Sequence, residues 1–198
     1  MQPDIDAWDP WHPRDFAARM VGADLPWYVA GGWAIDLFLG RHTRDHENLE
    51  VSVPSTFFER LRLRFPELDF WIPQGERRLA PMSNETLAGE SHQTWAYERA
   101  ARVWRFDVFR EPHDGGIWIC RRDTSIRRPY REVFEVSADG IPYVRPEICL
   151  LFKAKAARDK DRADFDAVLP RMSDAQRAWL HNALKRVHPD HDWISATE

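Results

Sequence analysis

Three oxygen-bearing side chains lie in two hydrophobic segments that have the character of β-strands. Asn48 and Glu50 precede Val51 and Val53, and Asp107 lies between Phe106 and Val108. Side chains alternate along a strand, so residues 48 and 50 are expected on one face. Carboxylate and amide oxygens are ligands for Mg²⁺, which neutralises a triphosphate. From spacing alone, ordinary salt bridges within the sheet, for instance with Arg105, explain Glu50 and Asp107 equally well.

A second candidate element is the Gly31-Gly32 pair, which follows the hydrophobic segment 27–30 and precedes an amphipathic helix. Glycines allow backbone N–H groups to approach phosphate oxygens, and a helix N-terminus adds partial positive charge. A tight turn with positive φ is the structural explanation for the same pair. The two roles are compatible, so the pattern predicts a turn that also contacts phosphate.

Taken together, these segments resemble the nucleotidyltransferase superfamily in its aminoglycoside and lincosamide branch. The resemblance spans most of residues 27–170 and is carried by four motifs, Gly31-Gly32-Trp33-Ala34-Ile35-Asp36, Arg44-Asp45-His46-Glu47-Asn48-Leu49-Glu50, Trp104-Arg105-Phe106-Asp107-Val108-Phe109 and Phe152-Lys153-Ala154-Lys155-Ala156. It implies Mg²⁺-dependent transfer of a nucleoside monophosphate, AMP from ATP or a unit from another NTP, to a hydroxyl of a small molecule such as an antibiotic.

The resemblance also assigns roles to individual residues. It implies that Asn48, Glu50 and Asp107 form the metal site, with Glu50 and Asp107 as the catalytic carboxylates. Asp107 matches the position that binds metal and helps to activate the acceptor. The residues implied to contact the nucleotide are Gly31, Gly32, Arg44 and Lys153.

Two of these nucleotide contacts have alternatives. Arg44 either contacts a phosphate or pairs with Asp36 to brace the motif. Lys153 and Lys155 are about 200° apart around a helix, so they cannot face the same ligand, and Lys155 is the reserve choice. The sequence Lys160-Asp161-x-x-Asp164 resembles a signature of related enzymes, but a Lys160–Asp164 pair at i, i+4 explains it as well.

Asn48 departs from the family pattern, which has an acidic residue at this position. An amide oxygen can ligate Mg²⁺ but contributes no net charge. Loss of one anionic ligand is expected to lower the rate about a hundredfold or more. Three explanations stay open: a slow enzyme, a non-catalytic nucleotide- or ligand-binding protein, and a substitution introduced into an active parent. A toxin-type enzyme acting on tRNA or protein is a further alternative.

Composition restricts the other functional classes. The 198-residue chain has a net charge of −4 and arginines scattered among acidic residues, so nucleic acid is an unlikely partner. It has no apolar run of the roughly 18 residues that a membrane span needs. The two distant cysteines indicate neither a disulfide framework nor a zinc site. We expect a cytoplasmic protein without membrane contact, and the oligomeric state is left open.

The elements that must position these residues follow from periodicity and turn signals. Helices are predicted over 13–21, 33–39, 55–64, 147–158 and 160–169, with a further one opened by the Ser173/Gln176 capping box. Strands are predicted over 27–30, 49–53, 68–72, 93–97, 103–110, 117–120, 133–136 and 141–144, and a loop or weak hairpin over 73–90. The expected fold class is α+β, a mixed β-sheet with flanking helices. Residues 1–145 form the nucleotidyltransferase-like core with an N-terminal arm, and 146–198 a short helical part.

Overall fold

The computed structural model describes residues 2–75, 77–87 and 91–198. Its α-helices are α1 (Pro13–Arg19), α2 (Gly31–Leu39), α3 (Phe58–Leu63), α4 (Asn84–Leu87), α5 (Pro146–Lys153), α6 (Asp159–Val168), α7 (Asp174–Val187) and α8 (Trp193–Ala196). Its strands are β1 (Tyr28–Val29), β2 (Glu50–Pro54), β3 (Leu68–Pro73), β4 (Leu79–Pro81), β5 (Gln93–Glu98), β6 (Val103–Glu111), β7 (His113–Asp114), β8 (Ile117–Ile119), β9 (Arg127–Pro129), β10 (Phe134–Val136) and β11 (Pro142–Val144).

Contacts divide the chain into two compact units. Unit 1 comprises Met1–Val29 and Asp45–Glu111, and unit 2 comprises Ala30–Arg44 and Pro112–Glu198. The division between 1–145 and 146–198 that the sequence suggests stays a prediction.

Unit 1 contains a mixed sheet with the strand order β1-β2-β6-β5-β3-β4. β2 and β6 are parallel, whereas the other neighbouring strands are antiparallel. The parallel pair is connected through α3, β3 and β5, because parallel neighbours need a long crossover. The two strands that carry Glu50 and Asp107 are therefore adjacent at the centre of this sheet.

One face of this sheet is the hydrophobic core of unit 1. Phe106 of β6 contacts Phe16 of α1 and Phe65, which follows α3, with ring centroids 5.0 and 5.3 Å apart. Val51 and Val53 of β2 are fully buried on the same face. The strict alternation of β2 leaves Glu50 on the opposite face.

Side chains do not alternate strictly along β6. Strict alternation would place Trp104 on the face of Phe106, but β6 has one extra residue between these two, opposite the step from Ala96 to Tyr97 of β5. Trp104 therefore contacts Trp95 and Tyr97, with centroids 5.5 and 4.9 Å apart. Because a β-bulge adds one residue, side chains beyond it change face.

The N-terminal arm is attached to the end of this bulged strand. Trp8 forms a parallel bridge to Trp104, and the N–H groups of Asp9 and Trp11 donate to the carbonyls of Trp104 and Arg105 at 3.1 and 3.0 Å. The predicted arm is thus an extension of the sheet, held by main-chain hydrogen bonds.

Unit 2 begins with α2 and contains three short antiparallel pairings. β7, β8 and β9 form a three-stranded sheet, and β10 pairs with β11. Gly140, in the turn between β10 and β11, has φ 77°, as the predicted hairpin turn requires. The helices α5 to α8 complete the unit, and the Ser173 cap of α7 forms as predicted.

Most predicted elements are found, with shifted ends, and the predicted fold class is confirmed. The helix predicted over 147–158 ends at Lys153, because the Asp161 carboxylate accepts the backbone N–H of Arg158 at 3.2 Å and opens α6 there. The short elements β9 and α8 lack a periodic signal and were missed. Residues 76 and 88–90 of the predicted loop or hairpin lie outside the described residues, and β3 pairs with β4 within the described part. No helix in the described ranges is long and apolar enough to cross a membrane.

Candidate active site

Glu50 and Asp107 are direct partners in the parallel pairing of β2 with β6. Neighbouring strands are about 4.8 Å apart, and paired residues point to the same face. The N–H of Asp107 donates to the Leu49 carbonyl at 2.8 Å, which fixes this register. Asp107 is 1% exposed and Glu50 is half-buried. Unit 1 therefore brings the two predicted carboxylates side by side on one face of the sheet.

The adjacent strand β5 supplies a contact that sequence reasoning missed. Gln93 Nε2 donates to Asp107 Oδ2 at 2.8 Å. The amide fixes one oxygen of the carboxylate, and because Gln93 lies on a strand, its own position is determined by the sheet. A polar residue at the start of a strand carries no sequence signal for this role, since the contact depends on how β5 pairs with β6.

Asn48 is not part of β2. The strand begins at Glu50, Leu49 is fully buried, and Asn48 lies half-buried in a bend before it. The alternation that placed residues 48 and 50 on one face applies only within a regular strand. The role of Asn48 as a metal ligand stays a prediction.

Half-buried aromatic side chains lie beside the carboxylates on the same face. Trp95 of β5 is the direct partner of Asp107, and Trp71 of β3 is the direct partner of Trp95. Trp8 of the arm contacts Trp95 edge to face, with centroids 5.1 Å apart. Flat hydrophobic side chains next to carboxylates suit a ring-bearing polar ligand.

The diglycine turn lies at the start of α2 in unit 2. Of the two glycines, Gly31 has the positive φ, at 62°, a conformation that favours glycine. The Cys149 thiol of α5 donates to the Gly31 carbonyl at 3.3 Å. Asp36 of the same helix is buried and accepts the Thr43 N–H at 3.2 Å, with His42 Nδ1 at 3.0 Å from the other carboxylate oxygen. The turn prediction is confirmed, and phosphate contact stays a prediction.

Arg44 and Lys153 meet at one carboxylate of unit 2. Arg44 Nη2 is 3.0 Å and Lys153 Nζ 2.9 Å from the Asp164 carboxylate. Lys153 also lies 2.8 Å from Asp161, which accepts a bond from Arg158 Nε at 2.9 Å. We call these five residues the α6 ion network. Their contacts show how both predicted nucleotide cations are held, while Lys155 is exposed on the short turn after α5.

Ion pairing in this network changes the pKa of two of its members. Burial opposes the change, but hydrogen bonds from Arg158 and Lys153 hold the pKa of Asp161 well below its usual value. Burial likewise acts against the charged form of Lys153, yet Cys149 and the two aspartates raise its pKa above the usual value. The carboxylate and the ammonium therefore stay charged across the physiological range.

Comparison with known proteins gives one family match. A family model described as aminoglycoside-2″-adenylyltransferase matches residues 14–77, a segment that includes Gly31, Gly32, Arg44, Asn48 and Glu50. No curated protein matches the chain in sequence.

Solved structures give the corresponding fold. Lincosamide antibiotic adenylyltransferase LnuA with lincomycin bound has a TM-score of 0.55 and 12% identity, over 78% of this chain and 92% of that one. The antibiotic-resistance factor ANT(2″)-Ia in complex with adenylyl-2″-tobramycin has a TM-score of 0.54 and 14% identity, over 87% and 95%. Its solution structure has a TM-score of 0.55, again with 14% identity, over 87% and 89%. The predicted resemblance is thus confirmed, and the chain has the nucleotidyltransferase fold.

Proposed function

We propose that this protein transfers a nucleoside monophosphate, AMP from ATP, to a hydroxyl group of a small molecule such as an antibiotic. The observation that carries the proposal is the direct pairing of Glu50 with Asp107 on parallel strands. The family match over residues 14–77 and the fold shared with antibiotic adenylyltransferases support the same reaction class.

The donor set suits Mg²⁺, a hard cation that prefers oxygen ligands. Glu50 and Asp107 would hold it, with the Asn48 amide oxygen as a third candidate. The bound ion would neutralise charge on the triphosphate. Gln93 would keep one Asp107 oxygen oriented through its 2.8 Å hydrogen bond.

In the proposed reaction the acceptor hydroxyl oxygen bonds to the α-phosphorus of ATP. The bond from that phosphorus to the oxygen leading to the β-phosphate breaks, and pyrophosphate leaves. The hydroxyl proton passes to a carboxylate, for which Asp107 is the candidate base. The tryptophans beside Asp107 supply a surface on which a ring of the acceptor can lie.

Restoring an acidic residue at position 48 tests the proposal. Transfer from α-labelled ATP to a panel of hydroxylated antibiotics is measured with Mg²⁺ or Mn²⁺. We expect Asn48→Asp to raise the rate about a hundredfold, because it adds an anionic ligand, and Asp107→Asn to abolish transfer. Asn182→Asp, the same change at an exposed position of α7, is the matched control.

A non-catalytic binding protein gives a different set of results. It would show a thermal shift with NTP and metal but no transfer by folded Asn48→Asp with any acceptor. That outcome would contradict the proposed transfer reaction and would support a role in nucleotide binding alone. Transfer to tRNA or to a protein, with none to small molecules, would instead favour the toxin-type alternative.

A further inference from the structure

A row of four side chains crosses the sheet of unit 1 in direct register. Trp71 of β3 pairs with Trp95 of β5, and Trp95 pairs with Asp107 of β6. Asp107 in turn pairs with Glu50 of β2. Paired residues point to the same face, and neighbouring strands are about 4.8 Å apart. Trp95 therefore lies directly beside the candidate base, and Trp71 lies about 10 Å from it, two strands away.

The accessible part of the Trp95 side chain is apolar. The residue is half-buried, but its indole Nε1 is buried and has no hydrogen-bond partner among the described residues. The accessible surface of the side chain is therefore contributed by carbon atoms. An aromatic hydrocarbon surface next to a carboxylate suits the apolar face of a ligand ring.

Trp8 of the N-terminal arm gives this position a second side. Its ring centroid lies 5.1 Å from that of Trp95, and the two ring planes are 72° apart, so the rings form a corner. The Trp104 N–H donates to the Ala7 carbonyl at 2.8 Å, and the Asp9 N–H donates to the Trp104 carbonyl at 3.1 Å. Because these bonds fix the backbone on both sides of Trp8, the corner is formed without a ligand.

The surroundings of the two strand tryptophans carry few charges. Their neighbours on this face, among the described residues, are their direct strand partners and the residues two positions along each strand. Two of these neighbours are charged: Asp69, which pairs with Arg99 Nη1 at 2.6 Å, and Asp107, which is assigned to the metal. A polycationic ligand would need further carboxylates here, so this surface suits an uncharged ring. The other neighbours are uncharged, namely Pro73, Pro81, Gln93 and Tyr97.

We propose that Trp8, Trp71 and Trp95 form the acceptor subsite of this protein and select an uncharged ring with an apolar face. The ring lies on Trp95 and against Trp8, with one hydroxyl directed towards Asp107. Trp71 extends the surface for a further substituent of the acceptor. This inference rests on the proposed transfer reaction, to which it adds the chemical class of the acceptor and the residues that select it.

Saturation-transfer NMR with phenyl β-D-glucoside, an uncharged ring-bearing probe, tests the subsite without any turnover. We expect the full chain to transfer saturation to the C–H protons of the probe. Sorbitol, which has the hydroxyls without a ring, should receive none. Tobramycin, a polycation, should not displace the probe. The proposal is overturned if phenyl glucoside receives no saturation, if sorbitol receives as much, or if tobramycin at equal concentration displaces the probe.

Leucine substitutions assign the signal to the tryptophans. Trp95→Leu and Trp8→Leu should each weaken probe binding about threefold to tenfold, because an aromatic contact is lost while the position stays apolar. Trp8→Leu keeps the main-chain hydrogen bonds of the arm, so it tests the subsite even if Trp95→Leu does not fold. Trp27→Leu, at a half-buried tryptophan of the same unit whose ring contacts Phe16, is the matched control. Unchanged probe affinity in the folded variants would refute the subsite.

Two further measurements separate the subsite from the reaction. The affinity for Mn²⁺ should be the same in Trp8→Leu and the wild type, because the candidate metal ligands are unchanged. With an acceptor that is adenylylated, Trp8→Leu should raise the KM for that acceptor about threefold to tenfold and leave the KM for ATP unchanged. An unchanged acceptor KM would refute the subsite and leave the proposed reaction intact. Probe binding that depends on Trp8, without transfer to any acceptor, would refute the reaction and leave a ring-binding site.

Discussion

The carboxylate pair of unit 1 and the α6 ion network of unit 2 each contain two neighbouring carboxylates, which are positioned in different ways. Glu50 and Asp107 lie on two strands and face each other in direct register, and Asp107 accepts a bond from the neutral amide of Gln93. Asp161 and Asp164 lie one turn apart on a single helix. Both form ion pairs with Lys153. The two carboxylates of unit 1 are thus brought together by strand pairing, whereas those of unit 2 are brought together by helical spacing.

The largest effect is expected from breaking the α6 ion network. Asp164→Ala leaves Arg44 and Lys153 partly buried beside an empty position. Removing one partner of a buried pair costs about 3–5 kcal/mol in the free energy of unfolding. Urea denaturation measures this, with Asp166→Ala, an exposed aspartate on the same helix, as the control. Equal and small effects of the two variants would contradict a stabilising role for the network.

Substitutions in the carboxylate pair should lower the affinity for metal and hardly change the free energy of unfolding. Glu50→Gln removes an anionic ligand from a half-buried position. We expect the affinity for Mn²⁺, followed by electron paramagnetic resonance, to fall about tenfold to a hundredfold. Glu67→Gln, at an exposed position of the same unit, should leave the affinity unchanged. A loss of stability similar to that of Asp164→Ala would instead assign Glu50 a structural role.

Substitution of Gln93 is expected to lower the affinity for metal by a smaller factor. Gln93→Leu removes the amide that fixes Asp107 Oδ2 while keeping much of the side-chain volume. We expect Mn²⁺ affinity to fall about tenfold, as for other residues that orient a metal ligand. An unchanged affinity in folded Gln93→Leu would show that Asp107 needs no such support.

Acid titration sharpens the comparison further. Since the pKa of Asp161 is lowered on folding, its stabilising contribution is present above its unfolded pKa of 3.8 and is lost as pH falls towards the folded value. The free energy of unfolding, measured by urea denaturation from pH 5 to pH 2, should therefore decline less steeply in Asp161→Asn than in the wild type. Parallel curves for the two proteins would show that another group titrates there.

The smallest effect is expected at an exposed pair with the same helical spacing as Arg158 and Asp161. Glu59 and Arg62 pair at i, i+3 on α3, with side chains 56% and 34% exposed. Arg62→Ala should change the free energy of unfolding by at most about 0.5 kcal/mol, because solvent screens the pair. A change above this in urea denaturation would show that spacing alone, without burial, determines the contribution.

The sequence predicts the main features of the site because local patterns and the family resemblance agree there. Alternation in 49–53 places Glu50 opposite the buried valines, and the structure has this arrangement. The diglycine turn is predictable for the same reason, since a positive φ is a local property of the chain and Gly31 adopts it.

The remaining contacts depend on pairings between distant segments. The bulge in β6 has no signal in the alternating run of Trp104 to Phe109, and it appears only when β5 pairs with β6. Gln93 reaches Asp107 for the same reason. On α6, the spacing of Asp161 and Asp164 predicts a shared helix face, but the cations that reach Asp164 come from α5 and from the segment after α2.

The parallel register of β2 with β6 also has a consequence for how the protein matures. Glu50 and Asp107 are more than fifty residues apart in the chain, so their pairing closes a long loop late in assembly. In a nascent chain leaving the ribosome, the proposed metal site therefore cannot form until β6 has been synthesised. During refolding, the first appearance of tight manganese binding would time the closure of the central strand pair.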